Sequence, residues 1–488
     1  MYKTIAQLTQ HPVFHFFKQI SDIPRGSGNE KQISDYLVHF ANERNLEAVQ
    51  DEALNVIIKK PATAGYENAP AIIIQGHMDM VCEKNKGTTH DFEKDPIQLR
   101  IDGDMLYATD TTLGADNGIA VAYALALLDA DDIEHPALEV VITTEEETTM
   151  GGAIAVSPEH FTGKIFLNLD TEEEGKLLVS SAGGVKGQLS LPITWKKTPA
   201  QMEAYRLSVC GLRGGHSGME INKERGNANK LLGRVLHDLH NGFSFTLSEI
   251  NGGLKSNAIP REAEAILVFD PQSTLTLEKN ITEWNTILQM ELRAADPDVY
   301  VEFDKVKELP ERVFSAETTE KTIQTLMLTP NGAQSMSMEI DGLVESSTNL
   351  GVVTTTEAAV IFQNEIRSSV GSLKQYTLKQ VETIAAALGG TVETRGDYPE
   401  WAYNPNSAIR ELCKKVYKDK YGKEAEIIAI HAGIECGIFT QKIPALDAIS
   451  LGPDMYDVHT PNEHLSIPST IRTWEYLLDV LKEIKHIG

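Results

Sequence analysis

The sequence predicts an α/β fold: a mixed, mostly parallel sheet covered on both faces, interrupted by an inserted α+β domain. Three observations predict it. Short runs at residues 55–58, 71–75, 138–143 and 165–169 are nearly continuous in apolar residues, as expected of strands buried on both faces. A helical stretch at 117–128 separates the second run from the third, the spacing of a crossover unit. After Gly183-Gly184 the pattern passes into alternating strands and helices, and the apolar strand pattern resumes only at 426–430 and 445–450.

Taken in order, residues 12–45 carry Phe14, Phe17, Ile20, Ile33, Leu37 and Phe40 at helical spacings, broken at Ile23-Pro24-Arg25-Gly26-Ser27-Gly28. This predicts two helices around a loop. The four apolar strands and the 117–128 helix follow. The middle of the chain predicts strands at 206–210 and 262–269, helices at 223–240 and 275–294, a β-rich stretch at 352–366 and a helix at 374–388. Two further strands, the first followed by a helix, and a closing helix at 466–484 complete the pattern. With 488 residues the chain exceeds what one core usually supports. The expected division is 1–186 with 399–488 for the α/β domain and 187–398 for the insert.

Composition narrows the function. Hydrophobic residues make up 41% and charged residues 23%, which excludes fibrous and largely disordered classes. The 44 basic and 70 acidic residues give a net charge of −26, and such a surface repels phosphate backbones, so no nucleic-acid partner is expected. No apolar run approaches the roughly 20 residues of a spanning helix, and the N-terminus lacks a basic start followed by an apolar stretch. The expected setting is cytoplasmic, away from membranes. Four cysteines without a Cys-x-x-Cys pair are too sparse for a disulfide framework or a thiolate metal site.

The residues with chemistry cluster where predicted strands end. Gly76-His77-Met78-Asp79 follows the 71–75 run, and strand ends in such a sheet face the ligand crevice. Asp79 there can hold one imidazole nitrogen of His77 and aim the other at a metal, although His77 alone also reads as a solvated loop histidine. Leu113-Gly114-Ala115-Asp116-Asn117 opens a helix, where Asp116 or Asn117 also suits a capping role. Glu145-Glu146-Glu147 follows the 138–143 strand; three adjacent carboxylates in a crevice need cations, and on a surface they are an acidic turn. Asp170 follows the 165–169 strand, and His459 lies in a polar loop after the 445–450 strand. Five segments that each place a His, Asp or Glu at a strand end point to a two-metal hydrolytic site. Zinc is the first choice for both divalent ions, with manganese or cobalt as alternatives.

These residues resemble the co-catalytic zinc metallopeptidases that include carboxypeptidase G, aminoacylase and the carnosinases. The resemblance runs from Ile23-Pro24-Arg25-Gly26-Ser27-Gly28-Asn29-Glu30 to the His459 loop, and takes in Gly214-Gly215-His216-Ser217-Gly218, the Asn251–Arg261 segment and His431-Ala432-Gly433-Ile434-Glu435-Cys436-Gly437. It implies that His77, Asp116 and Asp170 hold one metal, and Asp116, Glu147 and His459 the other. Aligning Thr143-Thr144-Glu145-Glu146-Glu147 with the family's Thr-Thr-Asp-Glu-Glu makes Glu146 the general base. Thr148-Thr149 departs from the family's common Ala-Gly. The resemblance further implies that the insert is a lid and dimerisation domain, that His216 donates to the oxyanion in the partner subunit's site, and that Asn257, Arg367 and Glu435 bind substrate. The implied activity is hydrolysis of unblocked dipeptides with broad side-chain tolerance, Xaa-His included and β-alanyl-histidine a further candidate, by a homodimer. Aminoacylase, tripeptidase or carboxypeptidase activity with the same chemistry is the alternative. A catalytically silent metal-binding relative is the remaining one, although no ligand or base is missing.

Overall fold

In a computed structural model, which describes residues 2–487, the strand Ile72–His77 lies inside an eight-stranded sheet. The order across it is Glu47–Gln50, Val56–Lys60, Leu138–Thr143, Ile72–His77, Ile165–Asn168, Asp447–Ser450, Lys176–Ser181 and Glu426–Ile430. The four central strands run parallel. Every residue of Ile72–His77 and of Leu138–Thr143 is buried, which is why these runs carry no polar alternation. His77 pairs with Thr143, Gln75 with Asn168 and Asn168 with Ser450, so the four strands end at nearly one level.

The helix Ala115–Asp129 packs against Ile72–His77 and against the helix Pro12–Ser21. Between Asn117 and Leu128 all its residues are buried, and a helix covered all round needs no polar stripe. A smaller four-stranded sheet holds the strands Leu99–Asp102, Met105–Ala108, Met455–Tyr456 and His464–Ser466. The last two form an antiparallel hairpin, and its loop carries His459. The closing helix Ile467–Glu483 starts at Ser466, whose hydroxyl accepts the Ser469 N–H, with Pro468 in the first turn. These elements belong to one compact unit, residues 1–180, 403–429 and 434–488.

The second unit comprises residues 181–402 and 430–433. Its nine-stranded sheet is antiparallel, with Val344–Thr355, Ala359–Ser368 and Gly183–Pro192 adjacent in its middle. The core beneath includes Leu207, Val235, Leu247, Leu267, Phe314 and Phe362. The helix expected at 223–240 begins instead at Ala228, because the Asn227 side chain accepts the Lys230 N–H and caps it there. The helix Ala316–Leu328 was not foreseen. Its inner face sets Thr318, Thr319, Thr322 and Thr325, residues that read as polar, beside only Ile323 and Leu326. Thr322 and Thr325 donate their hydroxyls to the carbonyls one turn back, so the helix buries them as satisfied groups. Among the described residues no helix is long and apolar enough to cross a membrane.

Candidate metal centre and lid residues

His77 ends its strand with its ring 1% exposed. A Cβ on the preceding Gly76 would stand 2.5 Å from Ala120 Cβ and 2.6 Å from Asn117 Oδ1, so only glycine lets the helix Ala115–Asp129 lie this close. The Asn117 amide exploits that approach: its Oδ1 accepts the His77 N–H at 3.1 Å and its Nδ2 donates to Leu169 O at 2.9 Å. His77 Nδ1 lies 3.2 Å from Asp79 Oδ1, and Nε2 lies 3.2 Å from Asp116 Oδ1 and 3.7 Å from Asp170 Oδ1.

Asp79 is fully buried and serves three segments at once. Besides His77, it accepts the Ser27 hydroxyl at 2.7 Å, the Glu146 N–H at 3.1 Å and the Glu147 N–H at 3.3 Å. The turn that presents these N–H groups has Glu145 in the left-handed region, φ +53°. Glu30 accepts the Glu145 N–H at 3.2 Å, and the Glu145 carboxylate turns away to the Thr149 hydroxyl. Of the three adjacent glutamates, Glu147 meets His459: His459 Nε2 lies 3.0 Å from Glu147 Oε1 and 3.0 Å from Asp116 Oδ2. His459 also has a left-handed backbone, φ +62°.

Asp116 thus turns one oxygen to His77 and the other to His459. Donor atoms of His77, Asp116 and Asp170, of Asp116, Glu147 and His459, and of His77, Glu146 and Glu147 come within 4.8 Å of one another in each set. Electrostatics show what this crowding costs. Burial disfavours a charged His77, yet hydrogen bonding to Asp116 and the charges of Asp170 and Asp79 hold its pKa well above the ordinary imidazole value. Hydrogen bonds to Asp116 and Glu147 push His459 up to about 11. Burial, reinforced by Glu435 and Glu147, pushes Glu146 up to about 8, and burial drives Asp170 well up. The cluster neutralises itself by retaining protons where it lacks other cations, and oxygen and imidazole donors in such sets fit divalent metal ions.

Glu435 sits apart from the surface, 1% exposed, with Oε2 accepting from Gln75 and from the Thr143 hydroxyl. Its Oε1 has no partner, and burial raises its pKa to about 7. Arg25, Ser27 and Glu30, whose individual roles the sequence left unread, hold the ligand loops: Arg25 donates to Met78 O at 2.9 Å and to Gly114 O at 2.5 Å. Their common signal was the compact polar motif at 23–30.

The other expected residues gather in the second unit. Asn257 O accepts the Ser217 N–H at 3.0 Å, and His216 pairs with Ala258 in a short ladder. His216 Nδ1 accepts the N–H groups of Gly218 and Met219 at 3.2 and 3.0 Å, which leaves the ring proton on Nε2. Burial and the nearby Arg367 charge hold the ring below its ordinary pKa. Arg367 donates to the Tyr398 hydroxyl at 2.8 Å, lies 3.5 Å from Glu365, and keeps Nε without a partner. Gly218 is wedged among His216, Arg367 and His431: a Cβ on it would stand 2.3 Å from His431 O and 3.1 Å from His216 Cε1. His431 stood in the motif at 431–437 without a role of its own, and Tyr398 carried no signal.

Parallel strands that end at His77, at the glutamate turn and at Asp170, with Asp116 and His459 brought in from neighbouring loops and no thiolate among them, point to a class, the metallopeptidases. The chain belongs to peptidase family M20/M25/M40, whose family model matches residues 73–483. It is 38% identical over 480 residues to the cytosol non-specific dipeptidase of Escherichia coli (strain K12), covering 98% of this chain and 99% of that one. The crystal structure of aminoacylhistidine dipeptidase from Vibrio alginolyticus superposes with a TM-score of 0.93 at 36% identity, covering 100% of this chain and 99% of the other. An aminopeptidase from Bacillus cereus, 15% identical with a TM-score of 0.55 over 97% of this chain and 98% of its own, shares the fold.

Proposed function

We propose that this chain is a two-metal dipeptidase that hydrolyses unblocked dipeptides with broad side-chain tolerance, Xaa-His among them. The observation that carries the reading is Asp116, one oxygen toward His77 and the other toward His459, the disposition of a carboxylate shared by two ions. The names of the two relatives, a non-specific dipeptidase and an aminoacylhistidine dipeptidase, support the substrate class.

On this reading His77, Asp116 and Asp170 hold one ion and Asp116, Glu147 and His459 the other, with zinc first and manganese or cobalt as alternatives. Such ions supply Lewis acidity toward the scissile carbonyl and a lowered pKa for water. Glu146 takes the proton of the attacking water and returns it to the leaving amine. Asp79 keeps the His77 ring oriented.

The unit with these residues is the catalytic domain; the other is the lid, expected at 187–398. Its His216, neutral with the proton on Nε2, donates to the oxyanion in the site of a partner subunit, which makes the enzyme a homodimer. Arg367 and Asn257 bind the terminal carboxylate and backbone of the substrate, a fork suited to a planar anion. Glu435 contributes to the substrate side of the pocket. The cytosolic setting follows the name of the Escherichia coli relative.

The test is a substrate panel on metal-quantified protein: a dipeptide, its N-acetylated form and a tripeptide, each before and after chelation. Turnover confined to the free dipeptide, lost on chelation and restored by zinc, manganese or cobalt, is expected. Preference for the acetylated or longer substrate makes the chain an aminoacylase, carboxypeptidase or tripeptidase; full activity in metal-free protein removes the metal reading.

A further inference from the structure

We infer that Glu463 is a positioning residue for the second ion site, fixing the loop that carries Asp116 against the loop that carries His459. The inference rests on the two-ion reading above and concerns a residue which that reading leaves without a role.

The Leu113–Asp116 loop leads into the helix Ala115–Asp129, whose regular turns begin only beyond Asp116 and Asn117, both off helical φ/ψ. The N–H groups of this lead-in have no partners within the helix, and Gly114, at φ +68°, has no side chain to accept one. Ala115 is fully buried, so water does not replace the missing partner. Glu463 does: its Oε2 accepts the N–H groups of Leu113 at 2.7 Å and Gly114 at 2.9 Å, and its Oε1 those of Ala115 at 2.7 Å and Asp116 at 3.3 Å. The carboxylate is 1% exposed, so these four N–H groups take the place of water around it.

Opposite charge flanks the same loop. Arg25, also buried, donates to the Gly114 carbonyl, and to those of Met78 and Asp79 beside His77. The Leu113–Asp116 loop is therefore held by its N–H groups from one side and by a carbonyl from the other.

Glu463 lies four positions after His459. Its own N–H donates to Thr460 O at 3.0 Å, and the Thr460 hydroxyl donates to Asp457 O at 2.7 Å, so the loop between is folded onto itself. One carboxylate consequently anchors both partners of the 3.0 Å contact between His459 Nε2 and Asp116 Oδ2. A glutamine there would set an NH₂ group against N–H donors.

The test uses metal-free full-length protein titrated with Co²⁺, followed by its visible absorption bands, and with Zn²⁺ in competition with a chromophoric chelator. Wild type should take up two ions; fewer would remove the two-ion reading and, with it, the second site that Glu463 is inferred to position. Folded Glu463→Gln should bind its first ion like wild type and its second about 10- to 100-fold more weakly. Glu463→Asp, which keeps the charge, should fall between the two, and saturating metal should restore kcat in both variants. Two wild-type affinities in Glu463→Gln, or equal weakening of both ions, would overturn the inference. So would failure of both variants to fold, which would make the carboxylate a determinant of the fold and not of ion affinity.

Discussion

Asp79 Oδ1 lies 3.2 Å from His77 Nδ1 and accepts the backbone N–H of Glu146 at 3.1 Å, so a single oxygen sets the imidazole of one loop and the glutamate turn of another. Asp79 has no place in the proposed ligand sets. Replacing it with alanine should lower kcat/KM about 10- to 100-fold by letting both neighbours rotate. A metal-bound crystal structure with an Asp79 oxygen at coordination distance would show that its role is different.

Glu146 and Glu147 are adjacent in sequence and should fail differently. Glu146→Gln keeps the side chain's shape and removes its basicity, so kcat should drop roughly 10²- to 10⁴-fold with both ions retained. Glu147→Gln should release one ion, since Glu147 Oε1 lies 3.0 Å from His459 Nε2 in the proposed second ligand set. Elemental analysis beside kinetics distinguishes the two, and the reverse pattern would move the base by one residue.

Dimerisation has a direct genetic signature. His216→Ala chains and Glu146→Gln chains, each inactive alone, should regain activity after subunit exchange, because a mixed dimer assembles one site with both a base and an oxyanion donor, about half of wild type per heterodimer. Verified heterodimers that stay inactive would place His216 in the service of its own chain.

His431 predicts a pH effect on stability. Burial, aided by the Arg367 charge, lowers its pKa to about 3, and its Nε2 contacts the Ser347 hydroxyl at 2.6 Å. The unfolded chain takes up this proton near pH 6.5 while the folded chain refuses it, so stability is full above about 6.5 and declines as pH falls toward 3. Compared on metal-free protein, wild type should lose on the order of a few kcal/mol relative to His431→Gln across that window. Parallel denaturation curves at every pH would show that the ring is free to charge.

What was legible in the sequence follows a physical rule. His77, Asp170 and the glutamate turn were readable because each ends an apolar run, and a sheet buried on both faces leaves only its strand ends to carry chemistry. The residues that hold them were not. Arg25 and Glu463 act across distant sequence separations through backbone groups, and Ser27 through one hydroxyl on Asp79; such contacts impose no periodicity on the chain. Tyr398 illustrates the same limit in the second unit: it matters through one hydroxyl on Arg367. The helix Ala316–Leu328 was hidden for a different reason, since four of its six buried side chains are threonines, polar by composition and satisfied only once the fold exists.

Gly76 gives the centre an adjustable dimension. The separation of His77 from Asp116 is governed by the missing methyl between strand and helix, where Ala120 and Asn117 already occupy the space a side chain would need. A substituent there acts as a wedge, parting the two donors while leaving every donor chemically intact. On the two-ion reading, the preference for one ion radius over another is thus open to selection at a glycine outside both proposed ligand sets.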